Sequence, residues 1–409
     1  MTMQQAQAYL ETTYSPGRKK GLLELEKTLA LLGNPQEKLK IIHVAGTNGK
    51  GSFCAMMMSV LKAAGYRAGV FSSPHLERLN ERFSINGADI CDEDFLQILQ
   101  EVVAISDSIY GKDDGFTFFE IFVLIAFVYF QRQAVDFLLL EVGIGGRVDA
   151  TNVIKAPLLS AIMAIGMDHM ELLGDNIIDI AYEKGGIIKE NVPVVIYDDI
   201  QEVQNVFLEI AHKKNSRLHI GFKGAELDSI KLWLLVQYQR KNAEVVMSAC
   251  VCLNLMEVHI GGDHIKEGLE NARHSGRMEI VAQNPTILLE GAHNSQGAQA
   301  LANYMESELE GDISLIIGVL KDKEYGKIVN MLCKNANRIF FTKPLYDFKA
   351  SQPEDLAAAL EDSNKEIYII QNCIEALKKA QEVTPASATI ICTGSLYLIG
   401  DIRRHIKND

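Results

Sequence analysis

The sequence lacks a basic excess, paired cysteines, long apolar runs and internal repeats. Its 409 residues carry a formal net charge of −13. A general nucleic-acid binder needs a basic face, so none is expected, although a local basic pocket can still hold an anion. Seven cysteines lie scattered at 54, 91, 250, 252, 333, 373 and 392. Cys250-x-Cys252 has no second pair and no His pair beside it, which argues against zinc and for reduced thiols. No apolar run is long enough to span a bilayer. The greasiest stretch, residues 116–130, is interrupted by Glu120 and reads as a core helix. The N-terminus, Met1-Thr2-Met3-Gln4-Gln5, shows no basic-then-apolar leader. A cytoplasmic protein without membrane contact is expected. The chain is 48% hydrophobic and 23% charged. That is ordinary soluble composition, and the length requires two domains.

What is present begins with Gly46-Thr47-Asn48-Gly49-Lys50-Gly51-Ser52. An apolar run, residues 41–45, precedes it and reads as a buried strand. Residues 52–64 follow, with Met56, Met57, Val60 and Leu61 at helical spacing. Strand, Gly-rich turn and helix is the context of a phosphate loop. The glycines let backbone N–H groups face a polyphosphate, Lys50 adds a positive charge, and the Ser52 hydroxyl can face Mg²⁺.

Strands and helices alternate almost throughout, as in parallel α/β layers. Strands are expected at 41–45, 68–72, 137–142, 158–164 and 194–197, and a helix over 263–273. His274-Ser275-Gly276-Arg277 reads as a hinge. Beyond it the pattern restarts, with strands at 286–289, 314–318, 338–342, 366–370 and 389–392 and helices at 295–307 and 374–382. Two domains are therefore expected, 1–275 and 276–409.

Further candidate chemistry sits at strand ends, where open α/β sheets bind ligands. Glu141 ends an apolar run and can hold a metal beside the phosphate loop. Gly143-Ile144-Gly145-Gly146-Arg147 follows it and reads as an anion site. Asp168-His169 ends the next run, and neutral His169 can ligate a divalent cation. Lys184-Gly185-Gly186 reads as a buried or functional lysine.

These segments, taken in order, resemble the folylpolyglutamate synthase and dihydrofolate synthase family, within the Mur ligase superfamily. Further matching pieces are Ser72-Ser73-Pro74-His75-Leu76, Glu81-Arg82-Phe83-Ser84-Ile85-Asn86-Gly87, Thr117-Phe118-Phe119-Glu120, Gly291-Ala292-His293-Asn294 and Thr393-Gly394-Ser395-Leu396-Tyr397. The resemblance implies an α/β fold. A phosphate-loop mononucleotide-binding N-terminal domain has a central, mostly parallel sheet, and a smaller Rossmann-like α/β C-terminal domain follows. It implies an ATP-dependent ligase that joins L-glutamate to a folate or dihydropteroate carboxylate through an acyl phosphate. Gly46, Thr47, Asn48, Gly49, Lys50, Gly51 and Ser52 would bind ATP, with Arg277, Glu290 and His293 from the second domain, so that closure assembles the site. Ser52, Ser73 and Glu141 would hold one Mg²⁺. His169 and a carbamate on Lys184 would hold a second. Lys50, Lys184 and His293 would be catalytic. Ser73, Pro74, His75, Arg78, Arg82 and Thr151 would bind substrate. The implied partners are small molecules only, with no nucleic acid, no membrane and a monomeric state; a K⁺ requirement stays open.

The sequence departs from the family pattern at several places. The family's Asp-Gly-Ala-His-Asn is here Glu290-Gly291-Ala292-His293-Asn294, which moves the carboxylate by about one bond length, roughly 1.5 Å. The family's Pro-Gly-Arg is here Ser275-Gly276-Arg277, which should loosen the hinge. Gly-x-His-Gln-x-x-Asn reads here Val236-Gln237-Tyr238-Gln239-Arg240-Lys241-Asn242, after a shortened stretch at 220–235. These departures keep open a weakened member with a binding role. A muropeptide ligase is a second alternative, but the 45 residues up to the phosphate loop are too few for its extra domain. A generic phosphate-loop kinase or GTPase leaves the second half unexplained.

Overall fold

The computed structural model describes every residue except 14–19, 112–113, 198–199, 222–226, 228–229, 233–236, 346–348, 362–363 and 409. Most of the shortened stretch at 220–235 therefore lies outside the described residues. The chain forms two compact units. One comprises Met1–Trp233 with Lys241–Ala272, the other Leu234–Arg240 with Arg273–Asp409.

The first unit is built on a sheet whose described strands are β1 (Ile41–Ala45), β2 (Ala68–Phe71), β3 (Phe83–Ile85), β4 (Ala88–Asp89), β5 (Phe137–Glu141), β6 (Leu159–Ile162), β7 (Val194–Ile196) and β8 (Leu218–Ile220). Their order is β4-β3-β2-β5-β1-β6-β7-β8. β2, β5, β1, β6, β7 and β8 run parallel. β3 and β4 are antiparallel additions at one edge, where the alternating pattern predicts only parallel layers. They are too short, at three residues and two, for a period-2 signal. The expected strands are all present; β1 ends where expected, and the other four end one or two residues early. Ser72, Val142 and Ala164 have already left the ladder and turn into the loops that carry the chemistry.

β1 is central and fully buried, because helices cover both faces of a parallel sheet. Register pairs Val44 with Glu141 on one side and Ala45 with Ile162 on the other. The carboxyl ends of β1, β5 and β6 thus come together. The expected core helix is Phe118–Arg132, buried continuously from Glu120 to Phe130. Its one buried charge is satisfied locally. Glu120 forms a capping box with Thr117 and accepts the backbone N–H groups of Lys20 and Gly21 at 2.9 and 3.3 Å. Such pairing is what permits a buried carboxylate. Among the described residues no helix is long and apolar enough to cross a membrane.

The second unit holds β9 (Glu279–Ala282), β10 (Thr286–Glu290), β11 (Ile313–Ile317), β12 (Arg338–Lys343), β13 (Glu366–Asn372) and β14 (Thr389–Thr393), ordered β13-β12-β11-β14-β10-β9. All described neighbours pair in parallel except β9, an antiparallel edge. Helices Ser295–Ser307, Tyr325–Cys333 and Cys373–Val383 supply the crossovers.

The phosphate-loop helix, Lys50–Ala63, is held from outside by helix Gly262–Asn271. Their contact is backbone-close. A Cβ at Gly268 would lie 2.4 Å from Val60 Cα and 2.6 Å from its nitrogen. Gly268→Ala should therefore destabilise the protein by about 1–3 kcal/mol, the usual cost of overpacking, even though alanine favours helix. Urea denaturation showing an unchanged or raised midpoint would contradict this close approach.

Candidate active site

β1 ends at Gly46 because the next turn needs a residue without a side chain. Gly46 has φ +145°, and a Cβ there would lie 2.7 Å from Met163 Cβ. Gly49, at φ +88°, precedes the helix and makes no side-chain cap, so the helix N-terminus keeps its polar amide end for an anion. The loop is tied to the turn after β6. Thr47 N–H and Asn48 N–H donate to Ala164 O at 2.8 and 3.2 Å, and the Thr47 hydroxyl donates to Gly166 O at 3.0 Å. Asn242 lies over the loop: a Cβ on Gly49 would be 2.6 Å from its Oδ1. The degraded motif thus keeps its asparagine at the phosphate loop.

Two lysines converge on one atom. Lys50 Nζ and Lys184 Nζ each donate to Gly46 O at 3.0 Å. Lys184 is 5% exposed. Burial, and next the positive charge of Lys50, push its pKa down to about 7, while Asp168 and Asp149 oppose the shift. Its segment is clamped to the Gly-rich turn after β5. Arg147 N–H donates to Glu183 O at 2.8 Å, and Asn152 Nδ2 donates to Gly186 O at 3.2 Å. Cβ atoms at Gly146 or Gly186 would lie 2.7 Å from Glu183 O or 2.4 Å from Arg147 Cα. This explains the second of the two glycines after Lys184. Arg147, expected to serve an anion site, instead holds Glu183 Oε1 through Nε and Nη2 at 2.9 and 2.7 Å.

Glu141 is 4% exposed at the end of β5, and its Oε2 accepts the Ser73 N–H at 3.4 Å. Ser52, 4% exposed, sits in the first turn of the loop helix. His169 caps a short helix with φ +50°, its Nε2 4.0 Å from Asp168 Oδ2. Among the described residues no three His, Cys, Asp or Glu side chains cluster as a metal site. Neither expected metal group asks for three. One combines hydroxyls with Glu141, the other His169 with an oxygen ligand made on Lys184. Hydroxyls and a carboxylate are hard oxygen donors, so the chemistry of Ser52, Ser73 and Glu141 suits a hard cation.

The expected substrate residues divide. Ser73, Pro74 and His75 lie on the turn after β2, and Arg82 Nε donates to His75 Nδ1 at 3.0 Å. The Arg82 guanidinium, 6% exposed, stacks over Phe118 and Phe122 at 5.2 and 5.0 Å. Arg78 is instead exposed and paired with Asp92 at 3.1 Å. Thr151 is fully buried and donates to Asp149 Oδ1 at 2.6 Å. It therefore accepts from His43 Nε2, at 2.9 Å. Burial, then Lys189, push the His43 pKa down to about 3, so the ring is a neutral donor. Asp149 Oδ2 accepts Ile144 N–H at 3.1 Å, so this buried chain anchors the Gly-rich turn. His43 and Asp149 carried no separate signal in the sequence. A small cavity beside the turn is lined by Leu22, Leu25, Thr117, Phe119, Glu120 and Ala150. Phe119 reaches across it, and a Cβ at Gly143 would lie 2.6 Å from its Cζ.

In the second unit, Glu290 Oε1 accepts Arg277 Nη1 at 3.2 Å, and Oε2 accepts Met278 N–H at 2.9 Å and the Tyr238 hydroxyl at 3.1 Å. His293 Nδ1 bonds to Gly291 O at 2.9 Å, which places the proton on Nδ1. The turn at Gly276 (φ +70°) is braced by Glu279, which accepts Gly276 N–H at 2.7 Å and Arg403 Nε at 2.9 Å. Arg403 Nη2 also donates to the Ser275 hydroxyl at 3.0 Å, so serine offers a bond in place of proline's rigidity.

A phosphate loop on a parallel sheet, a partly deprotonated buried lysine and a separate Rossmann-like unit define a ligase of the Mur type. Residues 44–265 match the family described as Mur ligase middle domain, and 274–405 match the dihydrofolate synthetase C-terminal domain. The chain is 36% identical to the dihydrofolate synthase/folylpolyglutamate synthase of Bacillus subtilis, covering 99% of both chains. The structure of E. coli FolC in complex with DHPP and ADP superposes with a TM-score of 0.88 at 26% identity, covering 100% of this chain and 98% of that one. The bifunctional enzyme from Yersinia pestis, complexed with AMPPNP and Mn, gives 0.88 at 25% identity with the same coverage. The chain belongs to the dihydrofolate synthase/folylpolyglutamate synthase family. It is an ATP-dependent acid–amino-acid ligase that works with ATP and a divalent metal.

The Lys184 environment has a thermodynamic consequence. Its folded pKa, about 7, lies below the ordinary 10.5. Between those values the unfolded chain binds more protons, so stability rises with pH across that window. In bicarbonate-free buffer the protein should gain on the order of 2 kcal/mol relative to Lys184→Met between about pH 7 and 9, by urea denaturation. Equal changes in the two proteins would show that Lys184 titrates normally.

Proposed function

We propose that this chain attaches L-glutamate to dihydropteroate or a reduced folate, with Mg²⁺ as the working metal. The observation that carries this reading is the convergence of Lys50 and Lys184 on Gly46 O, with buried Glu141 on the neighbouring strand. Such a group favours a polyphosphate and a hard cation together.

In this reading Lys50 and the first amides of its helix hold the β- and γ-phosphates. The acceptor carboxylate attacks the γ-phosphorus, giving an acyl phosphate and ADP; the glutamate amine then displaces phosphate. Positioning and charge neutralisation dominate such a transfer. Ser52, Ser73 and Glu141 would hold one Mg²⁺, and His169 with a Lys184 carbamate the other. When bound, Mg²⁺ supplies charge compensation to the transferring phosphoryl group. The carbamate forms when neutral Lys184 Nζ bonds to the carbon of CO₂ and releases a proton. A pKa near 7 leaves a large neutral fraction for that step. Arg277, Glu290 and His293 form the second unit's nucleotide group. The glutamate amine must lose a proton before it attacks, and His293, with its proton fixed on Nδ1, is the candidate acceptor.

Arg82, desolvated over two aromatic rings, is suited to a substrate carboxylate. The likeness to a dihydrofolate synthase/folylpolyglutamate synthase over 99% of the chain supports a folate-type acid over a muropeptide. A monomeric cytoplasmic enzyme remains our expectation.

The test combines purified protein with MgATP, L-glutamate and either dihydropteroate or tetrahydrofolate, following ADP and the glutamylated product; exchanging K⁺ for Na⁺ reads out any monovalent-ion need. Product from dihydropteroate assigns the synthase reaction, product from tetrahydrofolate chain extension. ADP release only with a UDP-linked muropeptide would overturn the proposal. Lys50→Ala should lower turnover at least 1000-fold, through lost charge stabilisation, while leaving the melting temperature within about 2 °C. Substantial turnover in that variant would contradict the placement of the phosphates.

A further inference from the structure

We propose that Tyr238 is a positioning residue for nucleotide binding, and that it and Glu290 act as one unit presenting Arg277. The proposal rests on the reading that Arg277 contacts the nucleotide.

Glu290 ends β10 with 2% of its surface exposed, so its carboxylate must be satisfied by protein donors. Met278 N–H and the Tyr238 hydroxyl occupy Oε2, leaving Oε1 for Arg277 Nη1. The carboxylate is thus fixed from one side and grips the guanidinium from the other. Arg277 keeps 24% of its side chain exposed, so it remains accessible to a ligand. Gly291 protects the arrangement, because a Cβ there would lie 3.0 Å from Arg277 Nη1. Burial and the Glu290 charge raise the Tyr238 pKa well above its ordinary value, so the hydroxyl stays a donor at any working pH.

Both partners are places where this sequence leaves its family's pattern. Glu290 stands for an aspartate and Tyr238 for a histidine, and the two departures meet in one hydrogen bond. A longer carboxylate and a phenol that donates to it are a matched pair, which separate decay of two sites would not produce. Tyr238 also belongs to the short segment, ending at Arg240, that the second unit takes from the middle of the chain. Packed against the core of that unit, it joins this segment to the end of β10.

The test is a double-mutant cycle in the full-length protein with Tyr238→Phe, Glu290→Asp and both together. The readouts are calorimetric Kd for AMPPNP with Mg²⁺, KM for glutamate and melting temperature. Each single variant should weaken AMPPNP about tenfold and leave KM for glutamate within twofold. The double variant should weaken it about 10- to 20-fold, far from the roughly 100-fold product of independent losses. Glu290→Gln serves in the cycle if Glu290→Asp does not fold. Multiplicative losses, AMPPNP binding by Tyr238→Phe within twofold of the parent, or an equal rise in both constants would overturn the proposal. Arg277→Ala separates the two levels. If it weakens AMPPNP while Tyr238→Phe does not, the unit proposed here fails and the nucleotide role of Arg277 stands. If Arg277→Ala binds normally, that role fails and the inference with it.

Discussion

The carbonyl of Gly46 is the point on which the first unit's candidate site converges. Two lysines donate to it, and one is buried. Two ammonium groups at one acceptor repel strongly in a low-dielectric site, and that cost falls on the group with less water. Burial first, and Lys50 second, therefore lower the Lys184 pKa to about 7, while Lys50, at the open end of a helix, keeps a position suited to phosphate. The backbone has to be rigid for this to work. Thr47 and Asn48 tie the loop to the turn after β6, Met163 leaves no room for a side chain at Gly46, and Gly268 seats the following helix. On the Lys184 side, the turn after β5 presses backbone on backbone against residues 183–186. His43, Thr151 and Asp149 hold that turn from beneath. The contacts along this chain replace contacts with water, apart from the buried His43 Nδ1, which has no partner among the described residues.

The second unit solves a smaller version of the same problem. Its Arg277 is partly exposed and held in place at the same time. The carboxylate of Glu290 provides the fixing, and the turn before β9 is braced separately by Glu279 and Arg403. The loosening expected from serine at the family's proline position is offset in part by the bond from Arg403 to Ser275. Proline restricts the unfolded chain, whereas a hydrogen bond acts in the folded one, so the two devices respond differently to temperature and denaturant.

Much of this could be read from letters. Lys50, Glu141, His169 and Lys184 announce themselves because Gly-rich turns and strand ends are local features, and locality survives in a one-dimensional string. The parallel strands were legible for the same reason, as apolar runs bounded by turns. What was hidden is non-local or short. β3, β4 and β9 are antiparallel edges whose pairing depends on distant partners. The His43–Thr151–Asp149 chain joins residues 108 apart in sequence, and Thr151 proved to be internal to it. Arg147 looked like an anion ligand beside its glycines, yet its partner Glu183 lies 36 residues on. Arg78 and Arg82, alike in a string, separate completely in space: one pairs at the surface and the other is stacked and buried.

The departures from the family pattern carry a final point. A chain losing its activity should change first where chemistry is demanding and packing indifferent. Here the reverse holds. Lys50, Ser73, Glu141, His169 and Lys184 all match the family's residues, although several are buried polar groups that cost stability to keep. Among the described residues, the changes at Ser275, Tyr238 and Glu290 each have a bonded partner. An extra methylene at a catalytic carboxylate is costly when its surroundings stay fixed. It is tolerable when the donor facing it moves by a similar amount, and a tyrosine hydroxyl at 3.1 Å shows that Glu290 is met where it now stands. The pattern is that of a ligase adjusted around an unchanged reaction.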